Sequence, residues 1–280
     1  MEQATPSRTA LRMALRRAGH QLFDMPVVFV DPLAVPILGA AYAEEIRRTP
    51  LNPNRIFSTA MRAFVVARSR YAEDNLERAV AAGVQQYVLL GAGLDTFAYR
   101  NPYPRLRVFE VDHPATQQWK QALLQTNGIA IPASLTYTPV DFEHQTLPEQ
   151  LLACGFDMEV PTMFAMLGVV PYLTLAAFRA TVDFLGARPT GSGVVFDYGQ
   201  PRSVLPHREQ LEHDSLSARV QSAGEPFQLF FTPEEMAVEL SGFHRIEDLG
   251  AAEINARYFQ GRADSLAARG KAGRLLSAWL

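Results

Sequence analysis

The segment from Tyr87 to Arg100, YVLLGAGLDTFAYR, constrains the fold more than any other part of the chain. Its apolar start does not alternate with polar residues, which is typical of a strand buried on both faces in a parallel sheet covered by helices. Gly91 and Gly93 follow at once, and glycine lets the backbone turn sharply and approach another group closely. The segment therefore predicts the carboxyl end of a parallel strand with a ligand above it.

The chain alternates between apolar runs and helical patterns after this turn. Such alternation is typical of βαβ units and predicts an α/β fold with a doubly wound parallel sheet. The candidate strands are 86–90, 106–111, 135–140, 161–167 and 193–198, and two further strands near 243–249 and 275–280 are expected to close the sheet. Helices are predicted over 31–48 and 56–82, and a capping box at Thr232, Pro233 and Glu235 predicts another through about 240.

The composition gives no indication of nucleic acid, a metal or a membrane as a partner. The 280 residues carry a formal net charge of −3, which gives no indication of nucleic acid as a partner. The single cysteine, Cys154, excludes an internal disulfide and a multi-cysteine zinc site, so no metal is predicted and a cytoplasmic location is expected. The uncharged run 160–178 is interrupted by Pro161, Gly168 and Pro171, so no membrane contact is expected either.

Acidic residues end the second predicted strand. In RVFEVDHP, Asp112 lies 21 positions after Gly91, close to the spacing of about 20 for an acid that binds ribose hydroxyls. Glu110 is the competing candidate, and only one of the two acids is expected to face the ligand. Acids that merely cap or pair at a strand end are the structural alternative.

The third strand, SLTYTPVDF, ends in Asp141 and Phe142. An acid beside an aromatic ring suits the amino group and the flat face of an adenine. A dinucleotide fingerprint would need a third glycine at position 96, where this chain has Thr96. The three strand ends together predict an adenosine pocket without a phosphate cradle, and S-adenosylmethionine is the cofactor that matches it.

The strings LLGAGLDTFAYR, VFEVDHP, VDF and LGVVPYL resemble the leucine carboxyl methyltransferase-like family of S-adenosylmethionine-dependent methyltransferases, in particular its bacterial branch. The resemblance covers about 24–198. It implies a Rossmann-like class I methyltransferase fold, with a seven-stranded, mostly parallel sheet, an antiparallel C-terminal strand and an N-terminal helical cap. It also implies cofactor contacts at Gly91, Asp112, Asp141 and Phe142, which favours Asp112 over Glu110, with Gly93 in the same turn.

The domain division predicted from this organisation places the helical cap in residues 1–82 and the S-adenosylmethionine-binding methyltransferase domain in residues 83–280. No linker separates the two parts. Within the cap, Arg8, Arg12 and Arg16 fall four residues apart on one helix face, which is interpreted as a solvated face without a function.

The resemblance further implies that an arginine in the helix before the glycine strand binds the methionine carboxylate of the cofactor. Arg68 and Arg70 are available, and Arg68 is preferred because it lies four residues after Phe64 on the face expected to be buried. A structural salt bridge is the alternative role. The chain departs from the family at Leu167, where relatives often have a glutamate near the cofactor.

These residues predict an O-methyltransferase that acts on a small molecule, with a carboxylate as a candidate acceptor because it needs no base. A phenol or alcohol would need one, and His144 and His113 are the nearest candidates, whereas Tyr172 is expected in the core or the pocket wall. No catalytic residue is identified. The alternatives are a carboxyl methyltransferase of a protein or peptide C-terminus and a nonenzymatic S-adenosylmethionine-binding or scaffold protein.

Overall fold

A computed structural model describes residues 7–48, 59–141, 144–222 and 224–280. Within these residues, seven strands form one sheet. The strands are β1 (Gln86–Leu90), β2 (Arg107–Asp112), β3 (Leu135–Pro139), β4 (Thr162–Met166), β5 (Gly193–Gly199), β6 (Arg245–Leu249) and β7 (Gly273–Trp279). Every residue of β1 and β4 is buried, as predicted for strands covered on both faces.

The order of the strands across the sheet is β3-β2-β1-β4-β5-β7-β6. Neighbouring strands from β3 to β5 pair in parallel, and β7 runs antiparallel between β5 and β6. The predicted mostly parallel sheet with an antiparallel C-terminal strand is therefore confirmed. The direction of winding reverses between β1 and β4, and ligands of open α/β sheets bind at such a switch point.

Helices cover both faces of this sheet. They are α1 (Arg8–Phe23), α2 (Gly39–Arg48), α3 (Thr59–Ala81), α4 (Pro114–Thr126), α5 (Leu147–Ala153), α6 (Leu175–Gly186), α7 (His207–Gln221), α8 (Pro233–Glu239) and α9 (Ala251–Tyr258). One core cluster joins α3 and α9 to the sheet, and a second joins α5, α6 and α8 to the opposite face. The helix α3 thus shares a core with β1, while the division into 1–82 and 83–280 stays a prediction.

One of two predicted helix starts is confirmed and the other is wrong. The capping box forms as predicted, since Thr232 Oγ1 accepts from the Glu235 N–H at 3.2 Å and α8 follows. The helix predicted from residue 31 is wrong, because α2 begins at Gly39. Asp31 Oδ1 does accept from the Leu33 N–H at 3.1 Å, as an N-cap would. The turn does not continue into a helix because Pro36 has no N–H to donate and Gly39 has a φ of +82°.

The first helix, α1, packs over the carboxyl end of the sheet. Arg17 donates to the Leu94 carbonyl, and its Nε lies 3.6 Å from Asp31 Oδ2. An apolar cluster that includes Ala14 and Leu124 joins α1 to α4. No helix in the described residues is long and apolar enough to cross a membrane.

Candidate functional site

A cleft of about 1670 Å³ lies over the carboxyl ends of β1, β2, β4 and β5. Its walls come from α1, α3 and α7 and from residues 224–230. The strands supply the floor because their carboxyl ends meet at one edge of the sheet. The cleft therefore combines a rigid floor with walls from helices that are distant in sequence.

The glycine turn forms the floor at the end of β1. Gly91 and Gly93 have φ values of +65° and +47°, a region that L side chains rarely adopt. A Cβ at Gly91 would lie 2.5 Å from Val169 Cγ2, and one at Gly93 would lie 3.1 Å from Ala10 Cβ. The turn needs glycine both for its conformation and because neighbouring segments pack directly on it.

Asp112 lies beside this turn, at the last position of β2. Its Oδ2 accepts from the Gly93 N–H at 2.6 Å and its Oδ1 from the His113 N–H at 2.7 Å. Burial raises the pKa of this carboxyl above its ordinary value, and the two backbone hydrogen bonds oppose that rise. A carboxylate has about four acceptor sites, so each oxygen keeps one for a ligand.

Glu110 has a different environment, although it lies on the same side of β2 as Asp112 because alternate residues of a strand share a face. It is fully buried, its Oε2 lies 2.8 Å from Lys120 Nζ, and it accepts from the Tyr99 hydroxyl at 3.2 Å. Burial raises its pKa, which Lys120 opposes. Glu110 does not line the cleft, whereas Asp112 does.

Arg68 projects into the cleft from α3. Its Nη1 donates to Asp197 Oδ2 at 2.9 Å, and Asp197 Oδ1 accepts from the Gly168 N–H at 2.6 Å. A Cβ at Gly168 would lie 2.9 Å from the Arg68 guanidinium, so glycine makes room for it. Arg70 instead points to the surface and pairs with Asp74 at 2.6 Å.

The sequence reasoning missed Asp197, which lies near the carboxyl end of β5 in FDYG, as Asp112 lies at the end of β2. That repeated form, an apolar strand running into an acid, could have identified it. Leu167 also lines the cleft and precedes Gly168. The carboxylate that this chain lacks at position 167 is thus present nearby, on β5.

The third strand contributes less to the described cleft. Asp141 follows β3, its N–H donates to Gln145 Oε1 at 3.0 Å, and its side chain is not among the lining residues that the structure describes. Phe142 lies outside the described residues. The predicted adenine contacts at these two positions therefore stay predictions.

The three weak catalytic candidates occupy different places. His113 is exposed and caps α4, since its Nδ1 accepts from the Ala115 N–H at 3.2 Å. His144 is exposed and lies outside the lining of the cleft. Tyr172 does line the cleft, burial raises its pKa, and its ring lies 5.2 Å from that of Phe227.

Arg16 contradicts the interpretation of α1 as a solvated arginine face. It is only 6% exposed and lines the cleft. Its Nη1 makes long contacts to the Arg12 carbonyl at 3.4 Å and to Met13 Sδ at 3.9 Å, and its Nε has no hydrogen-bond partner in the described residues. Burial lowers its pKa to about 10, helped by the charges of Arg68, Arg12 and Arg219.

His213 is a second polar group that the sequence reasoning missed. It lies on α7 in the wall of the cleft, with its ring centroid 5.1 Å from that of Phe230. Both ring nitrogens are buried and have no hydrogen-bond partner in the described part of the chain, and Nδ1 lies 3.8 Å from Asp214 Oδ1. The sequence of α7 does not indicate that His213 faces the cleft, because this depends on how the helix packs against the rest of the protein.

A family model described as "Leucine carboxyl methyltransferase" matches residues 10–186 of the chain. The Bacillus subtilis (strain 168) protein named "Putative S-adenosyl-L-methionine-dependent methyltransferase YktD" is 32% identical, with 96% of each chain covered. A Mycobacterium marinum protein named "Putative S-adenosyl-L-methionine-dependent methyltransferase" is also 32% identical, over 68% of this chain and 64% of its own length.

Two solved structures share the fold. One, described as a "putative methyltransferase" from Thermobifida fusca YX, has a TM-score of 0.59 at 16% identity and covers 99% of this chain and 96% of its own. The other, a duf574 family protein from Streptomyces avermitilis, has a TM-score of 0.56 at 17% identity over 95% and 96% of the two chains. At these identities the likeness concerns the fold alone.

Proposed function

Because the chain belongs to the leucine carboxyl methyltransferase family, and is therefore an S-adenosylmethionine-dependent methyltransferase, we propose that it methylates a small molecule on oxygen, at a carboxylate. The family match and the relatives support the cofactor and the reaction class. The observation that carries the proposed acceptor is Arg16, a buried guanidinium in the cleft without a carboxylate partner in the described residues.

The residues at the glycine-turn end suit the cofactor. Asp112 keeps acceptor sites for the ribose hydroxyls beside a turn, at Gly91 and Gly93, that already packs tightly. Arg68 offers donors for a carboxylate, and Asp197 offers acceptors for an ammonium, which would compensate for Leu167. Asp141 and Phe142 are proposed to contact the adenine.

The chemistry asks little of the protein beyond binding and orientation. The cofactor, when bound, supplies an electrophilic methyl group on a sulfonium. Arg16 would hold the acceptor carboxylate, and a carboxyl with a pKa of about 4 is already ionised at neutral pH, so no proton has to be removed. The helices α1, α3 and α7 line the cleft and would limit the access of water. The rate acceleration would come mainly from the orientation of the acceptor oxygen toward the methyl group.

Transfer of labelled methyl groups into a cell extract tests this proposal. We expect label in the protein-free fraction, in a form that mild alkali releases as methanol, because methyl esters hydrolyse and methyl ethers do not. The variant Asp112→Asn provides the control for cofactor-dependent labelling. Label confined to protein would support a protein C-terminus as the acceptor, and cofactor binding without any transfer would support a nonenzymatic binding protein.

A hydroxyl acceptor is the second candidate, and His213 favours it. An alcohol or phenol needs a base, and the ring nitrogens of His213 lie in the cleft wall without a hydrogen-bond partner in the described residues, with Asp214 Oδ1 3.8 Å from Nδ1. A carboxylate acceptor predicts a single-turnover rate that is flat above about pH 6. A rate that rises with pH, with the rise lost in His213→Ala and kept in the exposed-site control His144→Ala, would support the hydroxyl instead.

The net charge of −3 and the single cysteine support a small-molecule acceptor rather than nucleic acid, and a cytoplasmic enzyme.

A further inference from the structure

We propose that the acceptor is an aromatic carboxylic acid, whose ring packs against four neighbouring rings of the cleft while Arg16 holds its carboxylate. The four rings, called the aromatic wall below, belong to Tyr172, Phe227, Phe230 and His213. This inference rests on the proposed function and adds the chemical class of the acceptor.

The rings of the aromatic wall form a continuous series. The centroids of Tyr172 and Phe227 are 5.2 Å apart, those of Phe227 and Phe230 are 6.0 Å apart, and those of Phe230 and His213 are 5.1 Å apart. Interplanar angles of 50°, 85° and 52° place ring faces and ring edges beside one another. Aromatic rings prefer offset and edge-to-face neighbours at these separations, so a flat ligand ring would find suitable partners.

The rings are also available to a ligand. Tyr172, Phe227, Phe230 and His213 are all half-buried, and each of them lines the cleft. They come from three separate places, namely the segment after β4, the helix α7 and the segment after it. A chain that brings distant aromatic residues together and leaves them partly uncovered in one cleft presents an apolar surface that a ligand can cover.

A positive charge faces the same cleft as this apolar surface. Arg16 on α1 and Tyr172, the first ring of the wall, both line the cleft, so one ligand inside it can contact both. Arg16 Nε is buried and has no hydrogen-bond partner in the described residues. A buried guanidinium of this kind is strongly favoured by an anionic partner.

The combination of groups defines a chemical class. An apolar wall of rings selects a planar apolar body, and the guanidinium in the same cleft selects an anionic carboxylate. An aliphatic acid would pair with Arg16 but would lack the contacts with the aromatic wall. A neutral aromatic compound would make the ring contacts but would leave Arg16 without an anion. Methylation would also remove the charge that Arg16 recognises, so the ester product should bind more weakly than the acid.

Ligand-observed fluorine NMR tests the inference on the full chain saturated with S-adenosylhomocysteine. The probes are 4-fluorobenzoate and 6-fluoro-2-naphthoate, compared with 4-fluorobenzamide, which lacks the charge, and 4-fluorocyclohexanecarboxylate, which lacks the planar ring. We expect both aromatic acids to bind, with the amide weaker by about tenfold or more. The cyclohexane acid should be weaker by about twofold to tenfold.

Matched variants assign the contacts. Arg16→Gln should weaken both aromatic acids by about tenfold or more, whereas Arg8→Gln, an exposed arginine of the same helix, should not. Phe230→Leu should cost about twofold to tenfold and remove the preference for a planar ring, whereas Tyr42→Leu on α2, outside the cleft lining, should not. Binding of S-adenosylhomocysteine should stay near the wild-type value in all four variants, which also shows that each one folds.

The outcomes separate this inference from the proposed function. Failure of the wild-type chain to bind S-adenosylhomocysteine would contradict both. Normal binding of that cofactor product would leave the proposed function intact and overturn the inference in any of three cases: neither aromatic acid binds in the millimolar range, the amide binds as well as the acid, or Arg16→Gln weakens S-adenosylhomocysteine and not the aromatic acids. The last case would assign Arg16 to the cofactor.

Discussion

The two ends of the cleft differ in how far their polar groups are already satisfied. At the glycine-turn end, both oxygens of Asp112 accept backbone hydrogen bonds, and Arg68 is paired with Asp197. The walls from α1 and α7, called the acceptor end below, differ, because Arg16 Nε and both ring nitrogens of His213 have no hydrogen-bond partner in the described residues. One end is held in place by the protein itself, and the other offers buried polar atoms to a ligand.

This difference matches the two ligands of a methyltransferase. A cofactor shared by a whole family can be bound by groups that are already oriented, and orientation reduces the entropy lost on binding. An acceptor that differs between relatives is recognised by side chains on helices and loops, which can change without disturbing the sheet. Variants at each end should therefore affect only the ligand proposed for that end.

The largest expected effect concerns Glu110, which should support the fold rather than either ligand. In Glu110→Ala the buried Lys120 loses its partner, and we expect the free energy of unfolding to fall by about 3–5 kcal/mol. Denaturant unfolding measures this loss. Affinity for S-adenosylhomocysteine, measured where the variant is still folded, should stay near the wild-type value.

A double variant provides the matched control. Glu110→Gln combined with Lys120→Met removes both charges, so much of the lost stability should return. If Glu110→Ala instead kept its stability and lost cofactor affinity, Glu110 would be the ribose ligand and the choice of Asp112 would be wrong.

The next effect concerns Asp112. Asp112→Ala should weaken binding of S-adenosylhomocysteine by about 1.5–3 kcal/mol, as expected for a charged hydrogen-bond partner, and calorimetry measures the change. Ribose hydroxyls donate to the ionised form of Asp112, so affinity for S-adenosylhomocysteine should fall as the pH decreases and this carboxylate is protonated. Because burial raises the pKa of Asp112, the fall should begin above the ordinary aspartate pKa of about 3.9. If affinity for S-adenosylhomocysteine stayed constant from neutral pH down to about 3.9, Asp112 would not be the ribose ligand.

A smaller effect separates the cofactor's nucleoside from its amino-acid part. Arg68→Gln should weaken S-adenosylhomocysteine by about 1 kcal/mol and leave adenosine unaffected, because adenosine has no carboxylate for the guanidinium to bind. Arg70→Gln, on the exposed face of the same helix, is the control and should change neither affinity. Equal losses for both ligands in Arg68→Gln would identify a structural arginine that only supports Asp197.

The predictability of the molecule from its sequence differs between the same two ends. The strand QYVLL, the glycines at 91 and 93 and the acid at 112 follow local rules of strand, turn and ribose binding, and the sheet and this part of the cleft were predicted from them. The choice between Glu110 and Asp112 needed the family resemblance, because the two share a strand face. They differ because Glu110 pairs with Lys120, and no local sequence pattern predicts that Lys120 lies beside it.

The acceptor end could not be predicted in the same way. Arg16 was read as part of a solvated face because four-residue spacing shows which side chains share a face and not what that face meets. His213 and the aromatic wall come from segments that are far apart in sequence, and only their packing brings them together. The helix predicted from residue 31 fails for a local reason instead, since Pro36 and Gly39 interrupt the chain before α2 continues.

Hydrogen exchange with and without saturating S-adenosylhomocysteine compares the two ends in one measurement. We expect slower exchange of backbone amides in 91–97 and 107–113, around the glycine turn and Asp112, and a much smaller change in 207–222 and 224–231, the segments proposed to bind the acceptor. Slower exchange confined to the acceptor segments, with none around the glycine turn, would contradict the assignment of the two ends.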